Sequence, residues 1–305
     1  MFLSKSQNQR NLDRVELVLN YVHRHLDKDL SVDHLADLSG WSRWQLQRVF
    51  TAQTGLGLAQ YVRELRLSRA AELLLASDAR QIDIAFSCGF DSENSFSRSF
   101  KKMFTCSPSR YRLRSRRISL RTPISRSTLV PERNLGHSWH QIRIESQPEI
   151  SVVGCAGKVN GLFSSQPDFL DSVPKLWSEL KTLFANPQLK PTKDSPFMGV
   201  IDTRFSDKPN TYLASIDSCH LSGAQALERL TVPAQEYAVI PFKGALNEFN
   251  KVLSWFLLDW LPKSGFEGIS AYDLEIYQTA TEKEGGTTQM EYWVPVRPVN
   301  SSIRI

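Results

Sequence analysis

The stretch LADLSGWSRWQLQRVF, Leu35 to Phe50, reads as two short helices joined by a tight turn, and the chain repeats it. In the copy from Ile84 to Phe100, Ala85 answers Ala36, Gly89 answers Gly40 and Phe90 answers Trp41, each at an offset of 49. One residue is then inserted. The offset becomes 50 for Leu46 and Phe96, Arg48 and Arg98, Phe50 and Phe100, and finally Tyr61 and Tyr111. Self-similarity at a fixed period marks a duplicated structural unit.

Each copy has the chemistry of a helix-turn-helix. Ala36 and Ala85 are small enough for two helices to cross closely, and Gly40 and Gly89 can take the positive φ that the turn requires. Helical spacing then turns Trp41, Leu46, Val49 and Phe50 inward in the first copy, and Phe90, Phe96, Phe100 and Phe104 in the second. Arg43, Trp44, Gln47 and Arg48 are left outward on one candidate recognition helix. Ser92, Glu93, Asn94, Ser97 and Arg98 are left outward on the other. Arg pairs bidentately with guanine, and Gln or Asn with adenine, in a major groove wide enough for a helix. A single helical hairpin of this composition would be unremarkable as packing; two basic copies in register point to double-stranded DNA.

Charge supports the same division. The 305 residues carry a net charge of +5. Residues 1–117 hold nineteen Lys and Arg against twelve Asp and Glu, a net +7, whereas residues 118–305 hold eighteen against twenty, a net −2. A basic domain joined to a near-neutral one implies a polyanion partner for the first and a different task for the second. The composition, 41% hydrophobic and 23% charged, is that of globular domains. The longest apolar run, Trp255 to Leu261, is broken by Asp259, and the first ten residues lack a signal peptide's apolar core. No membrane is expected as a partner, and the expected location is the cytoplasm, associated with the nucleoid. Cys88, Cys106, Cys155 and Cys219 show no close pair and no metal-ligand spacing, so free thiols are expected, with no metal and no cofactor.

In chain order, an amphipathic helix over Leu12 to Leu26 opens the fold, and Ser31 caps a short helix holding Leu35 and Leu38. A long helix from Leu58 to Ala76 connects the two copies. At ~1.5 Å per residue it spans about 28 Å, comparable with the ~34 Å between successive major-groove faces, so one chain can do the work of a dimer. Its Arg63, Arg66 and Arg69 form a stripe that is either a solvated face or a phosphate contact. Pro108 starts a closing helix. Arg110, Arg112, Arg114, Arg116 and Arg117 then crowd eight residues before Ser, Thr and Pro dominate a linker over 118–138. Arg112 and Arg114 are candidate phosphate contacts.

From Trp139 the pattern becomes β-branched and alternating. Strands are expected over Gln141–Ser146, Glu149–Lys158, Phe197–Arg204 and Thr211–Asp217, with a helix over Phe169–Phe184. The order recurs as a strand over Glu236–Lys243, a helix over Leu246–Leu261 and strands over Tyr272–Gln278 and Gln289–Val296. The expected fold is thus an all-α double helix-turn-helix domain over 1–117, followed by an α+β domain over 139–305 made of two strand-helix-strand-strand halves. Such halves pack helices on one face of a sheet and leave a cleft between them for a small ligand.

The strings SRWQLQRVF, YVRELRLSRAAELL and GFDSENSFSRSFKKMF…SPSRYR resemble the DNA-binding domain of the AraC/XylS family of bacterial transcription activators, within it the Rob, MarA and SoxS group. The resemblance implies a monomer that sets both recognition helices into adjacent major-groove segments and recruits RNA polymerase. By position it implies a first contact set of Arg43, Trp44, Gln47 and Arg48 and a second of Asn94, Ser95, Ser97 and Arg98. Glu93 departs from the pattern: an acid there accepts from cytosine and is repelled by phosphate. Residues Gln141 to Val296 resemble the GyrI-like small-molecule-binding domain through VPAQEYAVIPFKGALNEF, WLPKSGFE, LEIY and MEYWVPV. That likeness implies a cationic or amphipathic ligand held by an acid in a strand, Glu291 or else Glu275, with Trp177, Tyr237, Tyr277 and Trp293 as candidate aromatic walls. Alternation in the last strand suggests Met290, Tyr292 and Val294 under the helices, and Glu291 with Trp293 facing the cleft. A hydrolase is the enzyme alternative, but no nucleophile elbow, Ser-His-Asp order or metal spacing supports catalysis, so no catalytic residue is assigned. A DNA-tethered interaction module with no small ligand is the other.

Overall fold

The computed structural model describes residues 5–127, 139–161, 164, 166–186, 189, 196–205, 209–220, 227–277 and 288–299. The chain forms two compact units, Met1–Ile144 and Glu145–Ile305.

Among the described residues the first unit is built from seven helices: α1 (Lys5–Arg24), α2 (Val32–Ser39), α3 (Arg43–Thr54), α4 (Leu58–Ala76), α5 (Gln81–Ser87), α6 (Glu93–Phe104) and α7 (Pro108–Arg114). The repeat is visible bond by bond. Gly40 and Gly89 stand at φ +65° and +75°. The amides of Trp41 and Phe90 donate to the carbonyls of Ala36 and Ala85 at 3.1 and 3.0 Å. Ser42 Oγ accepts from the Gln45 amide and Ser92 Oγ from that of Ser95, so both recognition helices start on a serine cap. Leu46, Phe50, Phe96 and Phe100 are fully buried, as the spacing requires. Burying each such side chain contributes about 1.5–3 kcal/mol, which anchors the recognition helices from beneath.

Arg66 on α4 ties the two copies together. Its guanidinium donates to Leu26 O (2.9 Å) and Lys28 O (2.6 Å) ahead of the first helix-turn-helix, and to Gly89 O (2.9 Å) in the turn of the second. Any side chain at Gly89 would strike it, since a Cβ there would lie 2.8 Å from the Arg66 guanidinium. Arg66 therefore belongs to neither of the roles read from the arginine stripe: it is a structural clip.

The linker expected over 118–138 is only partly a linker. Residues 128–138 lie outside the described residues, but 118–127 return along the helices. Tyr111 and Tyr61, equivalent in the repeat, each accept a backbone N–H from this segment, Ile118 N at 2.9 Å and Ile124 N at 2.9 Å. His23, half-buried and held down to a pKa of about 4, is neutral and shares a 2.6 Å hydrogen bond with the Tyr61 hydroxyl. Leu120 and Ile124 are buried. Two short pairings follow: β1 (Leu120–Arg121) against the start of β4 (Arg143–Gln147), and β2 (Ser125–Arg126) against β3 (Trp139–His140). The first compact unit runs to Ile144.

The second unit adds β5 (Ile150–Val159), α8 (Phe169–Phe184), β6 (Phe197–Asp202), β7 (Asn210–Asp217), β8 (Glu228–Val232) and β9 (Gln235–Gly244). Next comes α9 (Leu246–Trp255), which runs through a π-helical turn, Phe256–Trp260, into α10 (Leu261–Lys263). The chain closes with β10 (Phe266–Gly268), β11 (Tyr272–Tyr277) and β12 (Thr288–Pro298). The expected strands and helices all appear with shifted ends, and the two recurring halves are present. Residue Gln278, expected at a strand end, lies outside the described residues. The sheet order is β4-β9-β12-β11-β6-β7-β5-β8, with β10 paired to β12. Each half lends its leading strand to the other: β8 precedes β9 but pairs with β5, and β4 precedes β5 but borders β9. β6 and β11 meet at the middle, Gly199 opposite Glu275.

Both helices lie on one face of this sheet. Val173, Leu176 and Leu180 of α8 pack on Val153, Tyr212, Ala214 and Ile216. Phe249 of α9 packs on Phe242 and Tyr292, with ring centroids 5.1 and 5.0 Å away. The opposite face holds Tyr237, Val239, Leu274 and Trp293 in a separate buried cluster.

Candidate functional site

The first unit exposes the side chains of its two candidate recognition helices. Arg43, Trp44, Gln47 and Arg48 on α3 are exposed, as are Asn94, Ser95 and Arg98 on α6, while Ser97 is half-buried. Trp44 is 65% exposed, a value that no packing role explains. The Arg48 guanidinium lies over its ring at 5.0 Å, so the two side chains form one pre-arranged surface. Arg43 meets Asp33 at 3.0 Å, with both groups in solvent. Glu93 occupies the first turn of α6, where a carboxylate complements the helix dipole, which gives it a structural reason to be there.

The arginines after α7 divide. Arg110, Arg114 and Arg116 are exposed, with no ion pair among the described residues. Arg112 is committed elsewhere: it donates to Leu74 O at 3.1 Å and Ala79 O at 2.6 Å, closing the end of α4. These bonds give Arg112 a structural role beside the phosphate contact expected of it. Arg117 is bound to Glu72 at 2.9 Å.

In the second unit the candidate ligand residues fall on opposite faces of the sheet. Glu275, Tyr277 and Trp177 lie on the helix side. Glu291, Trp293 and Tyr237 lie on the other, where Trp293 and Tyr237 pack edge to face at 5.5 Å within the buried cluster. Trp293 Nε1 donates to Glu291 at 3.2 Å. Met290, Tyr292 and Val294 do sit on the helix side as expected. Glu291 and Trp293 are therefore on the face turned away from the helices.

On the helix side, where β6 pairs with β11, acidic and aromatic side chains converge. Glu275 accepts hydrogen bonds from Tyr212 Oη at 2.6 Å and Tyr277 Oη at 2.7 Å. Trp177 Nε1, on α8, donates in turn to Tyr212 Oη at 3.0 Å. The Trp177 ring meets Tyr277 at 5.4 Å and Phe197 at 5.9 Å. Two residues along β11, Asp273 accepts from Tyr292 Oη at 2.8 Å. Glu275, Asp273 and Tyr277 are surrounded by protein yet keep part of their surface accessible, as residues at the bottom of an open recess do. Burial raises the Glu275 pKa, against the opposing hydrogen bonds of Tyr212 and Tyr277. Burial pushes Asp273 up to about 7, with the Tyr292 bond opposing.

Gly199 makes the arrangement sterically feasible. A Cβ there would lie 2.2 Å from Tyr212 Oη and 2.8 Å from Glu275 Oε2, so only glycine lets Tyr212 reach across β6 to the acid. Tyr212, Tyr292 and Asp273 were not singled out by sequence. For Asp273 a signal existed: in YDLEIY two acids alternate with apolar residues and so share a face.

A duplicated helix-turn-helix with exposed reading side chains, joined to an α+β unit with an acid-floored aromatic recess, defines a DNA-binding transcriptional regulator. The chain belongs to the AraC-type helix-turn-helix regulators that carry a GyrI-like small molecule binding domain: residues 35–114 match the helix-turn-helix domain and residues 140–297 the GyrI-like domain. Transcriptional regulator Rob of Salmonella typhimurium is 25% identical over 296 residues, 92% of this chain and 96% of that protein. The transcriptional activator AarP of Providencia stuartii is 37% identical over 110 residues, 36% of this chain and 82% of that protein. Among solved structures, an AraC-type regulator from Chromobacterium violaceum is 30% identical, covering 34% of this chain and 93% of that one, with a TM-score of 0.33. No helix among the described residues is long and apolar enough to cross a membrane.

Proposed function

We propose that this regulator is a transcription activator that binds promoter DNA as a monomer, recruits RNA polymerase, and is modulated by a small amphipathic cation held in the recess between α8 and α9. Arg43, Trp44, Gln47 and Arg48 read one major-groove segment; Asn94, Ser95, Ser97 and Arg98 read the next, with Arg114 on phosphate. Glu275 is the ligand's counter-ion, and Trp177, Tyr277 and Tyr212 form its aromatic surround.

The observation that carries the ligand reading is the state of Glu275. It is deeply set and partly accessible, and among the described residues only neutral phenols bond to it. Leaving a carboxylate without a cationic partner in such a place is costly, and an apolar cation relieves that cost while its body packs on the rings. Glu291 has a different setting on the opposite face, beside Trp293.

The test is calorimetry of the full-length protein with tetraphenylphosphonium, a cation that offers charge and aryl surface but no hydrogen bond. Glu275→Gln is expected to weaken binding more than tenfold, and Glu291→Gln to leave it unchanged. Equal affinity of the parent and Glu275→Gln rejects the site. Run-off transcription with RNA polymerase, with and without the cation, tests activation and its modulation.

A further inference from the structure

The recess floor carries two carboxylates. Asp273 and Glu275 are two residues apart on β11, so strand alternation sets both on the helix side, about 7 Å apart along the strand. Across the sheet they face Ile201 and Gly199. Each has its own set of neutral donors: Tyr212 and Tyr277 for Glu275, Tyr292 for Asp273. The two sets belong to different walls. Tyr212 is bonded to Trp177 of α8, whereas Tyr292 packs against Phe249 of α9.

Neither carboxylate pairs with Arg or Lys among the described residues. The nearby cation Arg204 is bound to Asp202 at 2.8 Å and lies over the Tyr272 ring at 4.6 Å, on the opposite face of the sheet. One carboxylate suffices for a ligand with one charge. A second, held by its own phenol against the other wall, has no use in binding a monocation and adds desolvation cost.

We propose that the recess selects ligands with two cationic centres on one aromatic frame, Glu275 receiving the first centre and Asp273 the second. This rests on the reading of the recess as the ligand site. The aromatic frame lies against Trp177 and Tyr277, and the charges reach the two ends of the acidic pair. Burial holds Asp273 near a pKa of about 7, so at neutral pH it ionises readily against an arriving positive charge. Asp273 is then a specificity-determining residue: it separates dications from monocations and leaves the grip on a single charge to Glu275.

The experiment is calorimetry on the full-length protein with phenyltrimethylammonium and 1,4-phenylenebis(trimethylammonium), which share one ring and differ in the number of charges. The parent is expected to bind the dication at least tenfold more tightly. Asp273→Asn should bring the ratio close to one while keeping the monocation affinity, and Asp273→Glu should keep the preference because it keeps the charge. A ratio unchanged in Asp273→Asn, lost equally in Asp273→Glu, or absent in the parent overturns the proposal. Glu275→Gln should weaken both ligands; if it weakens neither, the recess is not the ligand site and the earlier reading falls with this one.

Discussion

Replacing Arg66 with alanine should uncouple the two reading helices without touching either. The guanidinium makes three bonds to backbone carbonyls, at 2.6 to 2.9 Å, that belong to segments flanking different helix-turn-helix copies. Hydrogen bonds to a charged group are worth about 1.5–3 kcal/mol each when buried. Arg66 is only partly buried, and water can serve part of what it leaves, so a total of about 2–4 kcal/mol is the reasonable expectation. For a unit of this size that corresponds to a fall in melting temperature of about 7–13 °C. Arg66→Lys keeps the charge but not the fork, and should recover less than half of the loss. Thermal unfolding of both variants supplies the first reading. Gel shifts on a full site and on isolated half-sites supply the second: half-site affinities should persist while the gain from joining them shrinks, because the linked helices no longer share one geometry. The reasoning fails if Arg66→Ala melts like the parent and instead flattens the salt dependence of binding. That result would make Arg66 a phosphate contact.

Other consequences can be measured in parallel. Arg48→Ala and Arg98→Ala should each lower specific affinity by about 1–3 kcal/mol and relax base preference at separate half-sites; an unchanged specific-to-random ratio in competition assays would contradict the assignment. Arg114→Ala with Arg116→Ala should weaken all sequences alike and reduce the salt slope by about 2, whereas Arg112→Ala should lower the melting temperature and leave the slope unchanged. Asp273 has a folded-state pKa raised from 3.8 to about 7, so the folded protein holds a proton that the unfolded chain releases. Its contribution to stability is therefore fully present below pH 3.8 and declines as pH rises toward 7, and Asp273→Asn should flatten melting temperature against pH across that window. Gly199→Ala should force Tyr212 off Glu275 and cost about 1–3 kcal/mol in overpacking, read by denaturant unfolding; parent-like stability and ligand affinity would refute the notch argument.

The helix-turn-helix repeat was legible because its signals are local and doubled. A glycine at positive φ, a serine cap and a run of apolar residues at helical spacing act within twenty residues, and the second copy checks the first. The strands of segment 118–126 were not legible, since two-residue strands have no periodicity of their own. They are held beside the helices because Tyr111 and Tyr61, distant in sequence, capture the backbone amides of Ile118 and Ile124 next to them. Arg66 was equally hidden, as a guanidinium bonded to three carbonyls has the same sequence signature as one in solvent. In the second unit, periodicity located strands and helices but could not show that each half lends its leading strand to the other, because pairing choice leaves no trace in alternation.

The position of the acid shows how far alternation reaches. It correctly separates Met290, Tyr292 and Val294 from Glu291 and Trp293, and it places the first set beneath the helices. The further step, which face opens to a ligand, is one that alternation alone does not decide. Two helices on one face of a long sheet, each centred over its own half, leave the central strands uncovered between them. The recess must then be floored by the strands at the junction of the halves, β6 and β11, and lined by residues in phase with the helix-facing set. On β11 that phase contains Asp273, Glu275 and Tyr277, and Gly199 opposite Glu275 supplies the room. In the proposed reading the strand at the junction decides which acid faces the ligand, and that junction is fixed by the duplication itself.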